Sequence, residues 1–229
     1  MKQYVILSEK SWHQESFDYL KSKFPEYGWT HLKTVEDFTL SKLEKIKPEK
    51  IFIPHWSYII PSEIFLKYEC IVFHMTDLPF GRGGSPLQNL IVRGHKETKI
   101  SALRVQKGLD SGPVYLKKKV ELEGTAKEIF IRSARVIEEM IGEIIVKNLK
   151  PVPQEGDVTE FKRRKPSQSD IAELDSLEKV YDYIRMLDCE GYPQAFFENE
   201  NFRFEFSRAS FGPNDEILAN VKIKRKNKN

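Results

Sequence analysis

The chain has 229 residues, 40% of them apolar, with 37 Lys and Arg against 34 Asp and Glu and a formal net charge of +3. This is an ordinary globular composition, either one large domain or a domain with a small appendage fits the length, and a net charge of +3 gives no strong nucleic-acid footprint. No apolar run approaches the roughly 20 residues of a membrane span, and charged residues return soon after Met1-Lys2-Gln3-Tyr4, so a cytoplasmic protein without a leader or a membrane partner is expected.

Residues 4–7 read as a strand, 11–24 as an amphipathic helix, 51–53 as a strand, 61–68 as a helix and 70–74 as a strand. Such alternation predicts a parallel-rich sheet with helices on its faces, an α/β or Rossmann-like class, in which ligands collect beyond the carboxyl ends of the strands. Ser85-Pro86-Leu87-Gln88 has the form of a capping box with proline at the first helical position. From Thr98 to Leu122 the pattern turns strand-rich. A second capping box, Thr125-Ala126-Lys127-Glu128, opens a long helix whose Ile129, Phe130, Ile137, Ile141, Ile144 and Ile145 form one stripe. Residues 151–157 read as a linker by their proline and glycine content. Residues 167–189 are helix-like and 194–226 break into short strands, with a basic run from Lys222 to Lys228. The expected division is therefore 1–150, a linker at 151–157, and a small helix-plus-strands domain at 158–229. Cys70 and Cys189 lack the paired spacing of a zinc or redox motif, so two reduced thiols and no metal site are expected.

One constellation carries chemistry. His74 ends a predicted strand, the loop Gly81-Arg82-Gly83-Gly84 delivers the chain to a helix start, and Gly108-Leu109-Asp110-Ser111-Gly112 adds a carboxylate. Imidazole, carboxylate and a helix end that welcomes anions are the parts of an acyl-type transfer site. Taken alone, His74 is equally well a structural histidine, and Asp-Ser-Gly is ordinary turn chemistry. The glycine loop lacks the Gly-Lys-Ser/Thr ending of a P-loop and the glycine spacing of a dinucleotide fingerprint, which removes kinase and dehydrogenase readings.

His74, Thr76, Leu78, Pro79, Arg82, Gly83 and Pro86, followed by Gly108 to Gly112, resemble the two motifs of the methionyl-tRNA formyltransferase family, which includes the amino-sugar N-formyltransferases; weaker similarity runs from Ile51 to Leu122. The resemblance implies a Rossmann-like formyltransferase domain, followed by a reduced version of the family's barrel-like C-terminal domain. It implies 10-formyltetrahydrofolate as co-substrate and His74 and Asp110 as the catalytic pair. Tyr58, Ile59, Ile60, Gln106, Leu109 and Asp110 would receive the folate, and Thr76, Arg82, Gly83, Gly84 and Ser85 the acceptor. One position departs: the family's asparagine two residues before the histidine is Val72 here. His55, Thr76, Asn89 or backbone amides near Gly112 are the candidate replacements for its hydrogen-bond donor.

The acceptor amine is where charge enters. From Val158 to Asn229, 13 Lys and Arg face 13 Asp and Glu, whereas a tRNA enzyme is expected to offer a basic face. With the compact glycine loop suited to a phosphate, the expected acceptor is a nucleotide-linked amino sugar, with initiator methionyl-tRNA as the alternative. The minor alternatives are a folate-binding protein without efficient catalysis, given Val72, and an RNA-binding module without catalysis, resting on Lys162-Arg163-Arg164-Lys165 and the basic tail; the oligomeric state stays open.

Overall fold

The structure, a computed structural model, describes residues 1–226. The chain folds into two compact units. The first holds Met1–Gly83, Thr98–Val120 and Ile131–Glu160, and the second holds Gly84–Glu97, Glu121–Phe130 and the described residues from Phe161 onward.

The first unit is built on a six-stranded sheet of β1 (Gln3–Leu7), β2 (Gly28–Leu32), β3 (Lys50–Pro54), β4 (Glu69–His74), β6 (Glu97–Arg104) and β7 (Val114–Glu121), in the order β2-β1-β3-β4-β6-β7. The pairs from β2 to β4 are parallel, and β6 runs antiparallel to β4 with Ile71 opposite Arg104 and His74 opposite Ser101. The Rossmann-like class read from the alternation is therefore present. β3 is buried along its whole length, as expected of a central parallel strand covered on both faces.

Helix α1 (His13–Lys23) buries His13, Ser16 and Leu20, a three-and-four spacing that puts one stripe inward. Besides the two-residue strands, two elements have no counterpart in the sequence reading: the edge strand β2, whose Gly-Trp-Thr-His-Leu is only partly buried, and α2 (Leu40–Ile46), capped by the Thr39 hydroxyl accepting from Lys42 N–H. An edge strand covers less apolar surface, so it carries little periodic signal. α3 (Ser62–Phe65) is a single turn that returns the chain from β3 to β4. A core cluster of Val5, Leu7, Leu32, Ile51, Ile53, Ile60, Ile64 and Cys70 also receives the partly buried Trp56, Val72 and Val105. Cys70 is an unpaired thiol, pushed up to about 12 by burial, so it stays protonated as a core residue.

Helix α5 (Ala126–Val146) follows the expected capping box: Thr125 N–H donates to Glu128 Oε2 at 2.7 Å and Glu128 N–H donates to Thr125 Oγ1 at 3.3 Å. All six stripe residues named from the sequence are buried. In the second unit, α4 (Pro86–Ile91) and α6 (Leu177–Arg185) accompany an antiparallel sheet of β9 (Ala195–Glu198), β10 (Phe202–Phe211) and β11 (Ile217–Arg225), ordered β11-β10-β9. Of the helix-like stretch 167–189, only α6 and a short 3-10 turn at Pro166–Ser169 are helical, because Ser176 caps α6 by accepting from Lys179 N–H. Arg185 is buried with its guanidinium satisfied by Asp182 and by the carbonyls of Leu122 and Gly124.

The Ser85 capping box is a correction. Ser85 starts α4 in the left-handed conformation, at φ 50°, with no hydrogen bond from its side chain to the helix. Its Oγ instead accepts from Arg164 N–H, and Gln88 donates to Met186 O. With six residues and no cap, α4 offers no anion site of the kind the motif suggested. No helix among the described residues is long and apolar enough to cross a membrane.

Candidate active site

β4 carries His74 at its carboxyl end, where the ring is 8% exposed. The chain then turns through residues 75–81, and that turn is tied down from three sides. Ser101 Oγ donates to Thr76 O at 2.7 Å, Lys117 and Lys99 pair with Asp77 at 2.6 and 2.8 Å, and Lys117 also reaches the Leu78 carbonyl. Burial raises the Asp77 carboxyl, but the two ammonium groups outweigh it and hold it below the usual range, so it stays charged at neutral pH. The turn returns Gly81 to the imidazole, with His74 Nε2 2.8 Å from Gly81 O. A carbonyl oxygen can only accept, so Nε2 carries the proton and the tautomer is set. Nδ1 then faces Asp110 Oδ2 at 3.5 Å.

Asp110 comes from the loop between β6 and β7 and adopts the left-handed region at φ 47°. Its Oδ2 also accepts from Gly83 N–H at 2.9 Å, so one carboxylate oxygen touches both motifs. The loop is seated by Gly112, where any Cβ would overlap the Arg104 carbonyl oxygen, a backbone atom with nowhere to move. Gly112→Ala is therefore expected to cost about 1–3 kcal/mol as overpacking and to displace Asp110. Urea unfolding checks this, and an unchanged midpoint would show that the loop gives way freely.

Arg82, in the two-residue strand β5 (Arg82–Gly83), points its guanidinium at Gln154: Nε and Nη2 donate to Oε1 at 3.1 and 2.8 Å. Residues 151–157, expected as a linker, belong to the first unit. Val152 and Val114 exchange backbone hydrogen bonds at 2.7 and 2.9 Å, and Gln154 donates to the carbonyls of Asp110 and Gly112. Sequence reading passed over Gln154, because proline and glycine content says nothing about what a loop side chain meets. Glu160–Phe161, the two-residue strand β8, follows this segment.

Thr76 is fully buried and its hydroxyl donates to Gly81 O, so it shapes the turn and faces no solvent. Gly84 and Ser85 belong to the second unit, where Asn89 Nδ2 donates to both of their carbonyls and to Lys162 O. Tyr58 and Ile59 follow β3, the parallel neighbour of β4, and are 51% and 91% exposed, while Ile60 is buried in the core cluster. Leu109 is 69% exposed beside Asp110, and Gln106 donates to Ser111 O.

Val72 packs among Leu78, Leu103 and Val114, so apolar side chains surround the position where the family has asparagine. Two of the donors considered in its place are committed elsewhere: Thr76 to Gly81 O, and Asn89 to three carbonyls. Among the described residues, no group of three or more His, Cys, Asp or Glu is set to hold a metal ion.

The first unit is an α/β domain with a parallel-rich sheet, a histidine at a strand end, a carboxylate facing its Nδ1 and a glycine loop between them. Residues 8–164 match the family model described as formyl transferase, and residues 166–224 match the one described as methionyl-tRNA formyltransferase, C-terminal domain. The chain belongs to the formyl transferase family. The methionyl-tRNA formyltransferase structure from Clostridium thermocellum is similar to it at 49% identity and TM-score 0.96, covering 99% of this chain and 100% of that one.

Among curated relatives, the methionyl-tRNA formyltransferase of Dictyoglomus turgidum is 28% identical over 92% of this chain and 70% of its own length. For that of Thermodesulfovibrio yellowstonii, also 28% identical, the shares are 67% and 52%, so the chain spans about half the length of this relative. The amino-sugar acceptor expected from the charge balance is overturned by these comparisons. A sugar N-formyltransferase from Shewanella shares the fold at TM-score 0.68 but only 14% identity. The relatives at 28% and 49% identity carry the tRNA enzyme's name. The charge argument failed because a domain's net charge averages over its faces, and binding depends on where the charges lie.

Proposed function

We propose that this chain transfers the formyl group of 10-formyltetrahydrofolate to the amino group of methionyl-tRNA. The observation that carries the reading is the His74–Asp110 pair. Gly81 O holds the proton on Nε2, which leaves Nδ1, 3.5 Å from the carboxylate, as the nitrogen that can take a proton. In the transfer, the amine nitrogen bonds to the formyl carbon, the bond from that carbon to the folate nitrogen breaks, and one proton passes from the amine to the departing nitrogen. His74 Nδ1 and Asp110 serve that proton's path. Both curated relatives and the Clostridium thermocellum structure bear the tRNA enzyme's name, which supports the acceptor.

The folate is assigned to the uncovered apolar side chains of Tyr58, Ile59 and Leu109, with Ile60 beneath and Gln106 and Asp110 at the edge. Val105 and Trp56 pack on the same core cluster, which brings the two folate segments to one region of the first unit. A HypX structure from Aquifex aeolicus with the same fold, at 19% identity and TM-score 0.74, was determined with tetrahydrofolic acid.

The test is a formylation assay with charged initiator tRNA and 10-formyltetrahydrofolate, set beside free methionine as acceptor. Product from the charged tRNA supports the reading; its absence at every salt concentration overturns it. Lys162 and Lys165 are exposed and are the assigned phosphate contacts. Replacing both with alanine is expected to raise the KM for tRNA, leave the KM for the formyl donor unchanged, and reduce the slope of log KM against log salt by about 1–2. An unchanged slope would remove them from the tRNA-binding face.

A further inference from the structure

We propose that Gln154 is a positioning residue for this reaction, locking Asp110 and Arg82 together beside His74; the inference rests on the formyl-transfer reading. Its side chain makes four hydrogen bonds. Nε2 donates to Asp110 O at 2.8 Å and to Gly112 O at 2.7 Å, and Oε1 accepts from Arg82 Nε at 3.1 Å and Nη2 at 2.8 Å. The orientation of the amide is forced: a guanidinium only donates and carbonyls only accept, so a flipped amide would face donor to donor and acceptor to acceptor.

The backbone beneath is held as firmly, because Val152, two residues earlier, is bridged to Val114 in both directions. These hydrogen bonds close a circuit. Gln154 holds the carbonyl of Asp110, the Asp110 carboxylate accepts from Gly83 N–H, and Arg82, one residue before, returns to Gln154. Asp110 sits in a left-handed conformation that aspartate adopts only at a cost. The Gln154 amide supplies two hydrogen bonds that keep this loop in place, and with it the distance from Asp110 Oδ2 to His74 Nδ1. Neither motif contains Gln154, yet both depend on it.

Two substitutions in the full chain separate its roles. Gln154→Glu keeps an acceptor for Arg82 but turns an oxygen towards the Asp110 and Gly112 carbonyls. Gln154→Met removes all four bonds at similar volume. Both are expected to lower kcat about tenfold or more through misplacement of Asp110. Gln154→Met should also raise the KM for charged tRNA by releasing Arg82, whereas Gln154→Glu should leave that KM within about twofold. An independent readout is the backbone amide resonance of Gly83, which reports its bond to the Asp110 carboxylate and requires no turnover. It is expected to move in both variants. Folded variants with the parental Gly83 resonance and parental kcat would overturn the proposal. A parental protein that forms no formylated tRNA would instead sink the reaction, and the Gly83 resonance would still decide the positioning role.

Discussion

Replacing His74 with alanine is expected to lower formyl transfer about a hundredfold or more, with the fold retained, as is usual for loss of a positioned acid-base group. The ring is buried but packs at the end of β4 against the turn through Gly81, so its removal leaves the sheet register intact. Asp110→Ala is expected to match that loss. It removes the partner of Nδ1 and also leaves Gly83 N–H without its acceptor. Because the two side chains act as one unit, the double variant should be little worse than either single one. Single-turnover rates with circular dichroism as the control for folding check this. Near-parental turnover in both variants would show that the transfer runs without the pair, and strictly additive losses would show that they act separately.

Lowering the pH from 7.5 to 5 is expected to cost a large part of the folding stability, and the cause lies away from the transfer site. His13 is 1% exposed at the start of α1, and its Nδ1 has no hydrogen-bond partner. Burial, then the neighbouring His31, lowers its pKa to about 3. His55 is lowered to about 3 by burial, with His13 and Lys10 adding to it. Burial lowers His31 too, with Lys33 assisting and Ser8 and Asp18 opposing.

In the unfolded chain these rings titrate near 6.5. Between pH 6.5 and 3 the unfolded state therefore binds the extra protons, and stability falls as pH falls. From neutral pH to pH 5, His13 alone accounts for about 2 kcal/mol, and His55 acts in the same direction. The lowered carboxyl groups of Asp77, Glu69 and Glu205 act in the same direction, but in a more acidic window. Their contribution is present above the unfolded carboxylate range and is lost only on further acidification, so the window from pH 6.5 to 5 isolates the histidines. Denaturant titrations at the two pH values measure the slope, and His13→Asn should make it shallower. A stability independent of pH across this window would mean that the rings take up protons in the folded state.

The stripe of α5 was legible in the sequence because it rests on local order, whereas His74 and Asp110 stood out as a pair only through the resemblance of their two motifs to the family. A strand end, a turn-forming Asp-Ser-Gly and a three-and-four apolar spacing are written in consecutive residues. The central strands were legible for the same reason: β3 is buried along its length and shows in the sequence as the apolar run Ile51-Phe52-Ile53. The edge strand β2 was not, since an edge needs less cover. Only the tertiary structure decided that Ser85 Oγ accepts from Arg164 N–H rather than from its own helix. It alone decided that Val72 is packed by apolar neighbours. It also decided that Gln154, 44 residues after Asp110 in the chain, holds the carboxylate loop in place. A side-chain amide or hydroxyl satisfies whichever donor or acceptor folding brings within about 3 Å. That choice depends on long-range packing, which no local pattern of residues encodes.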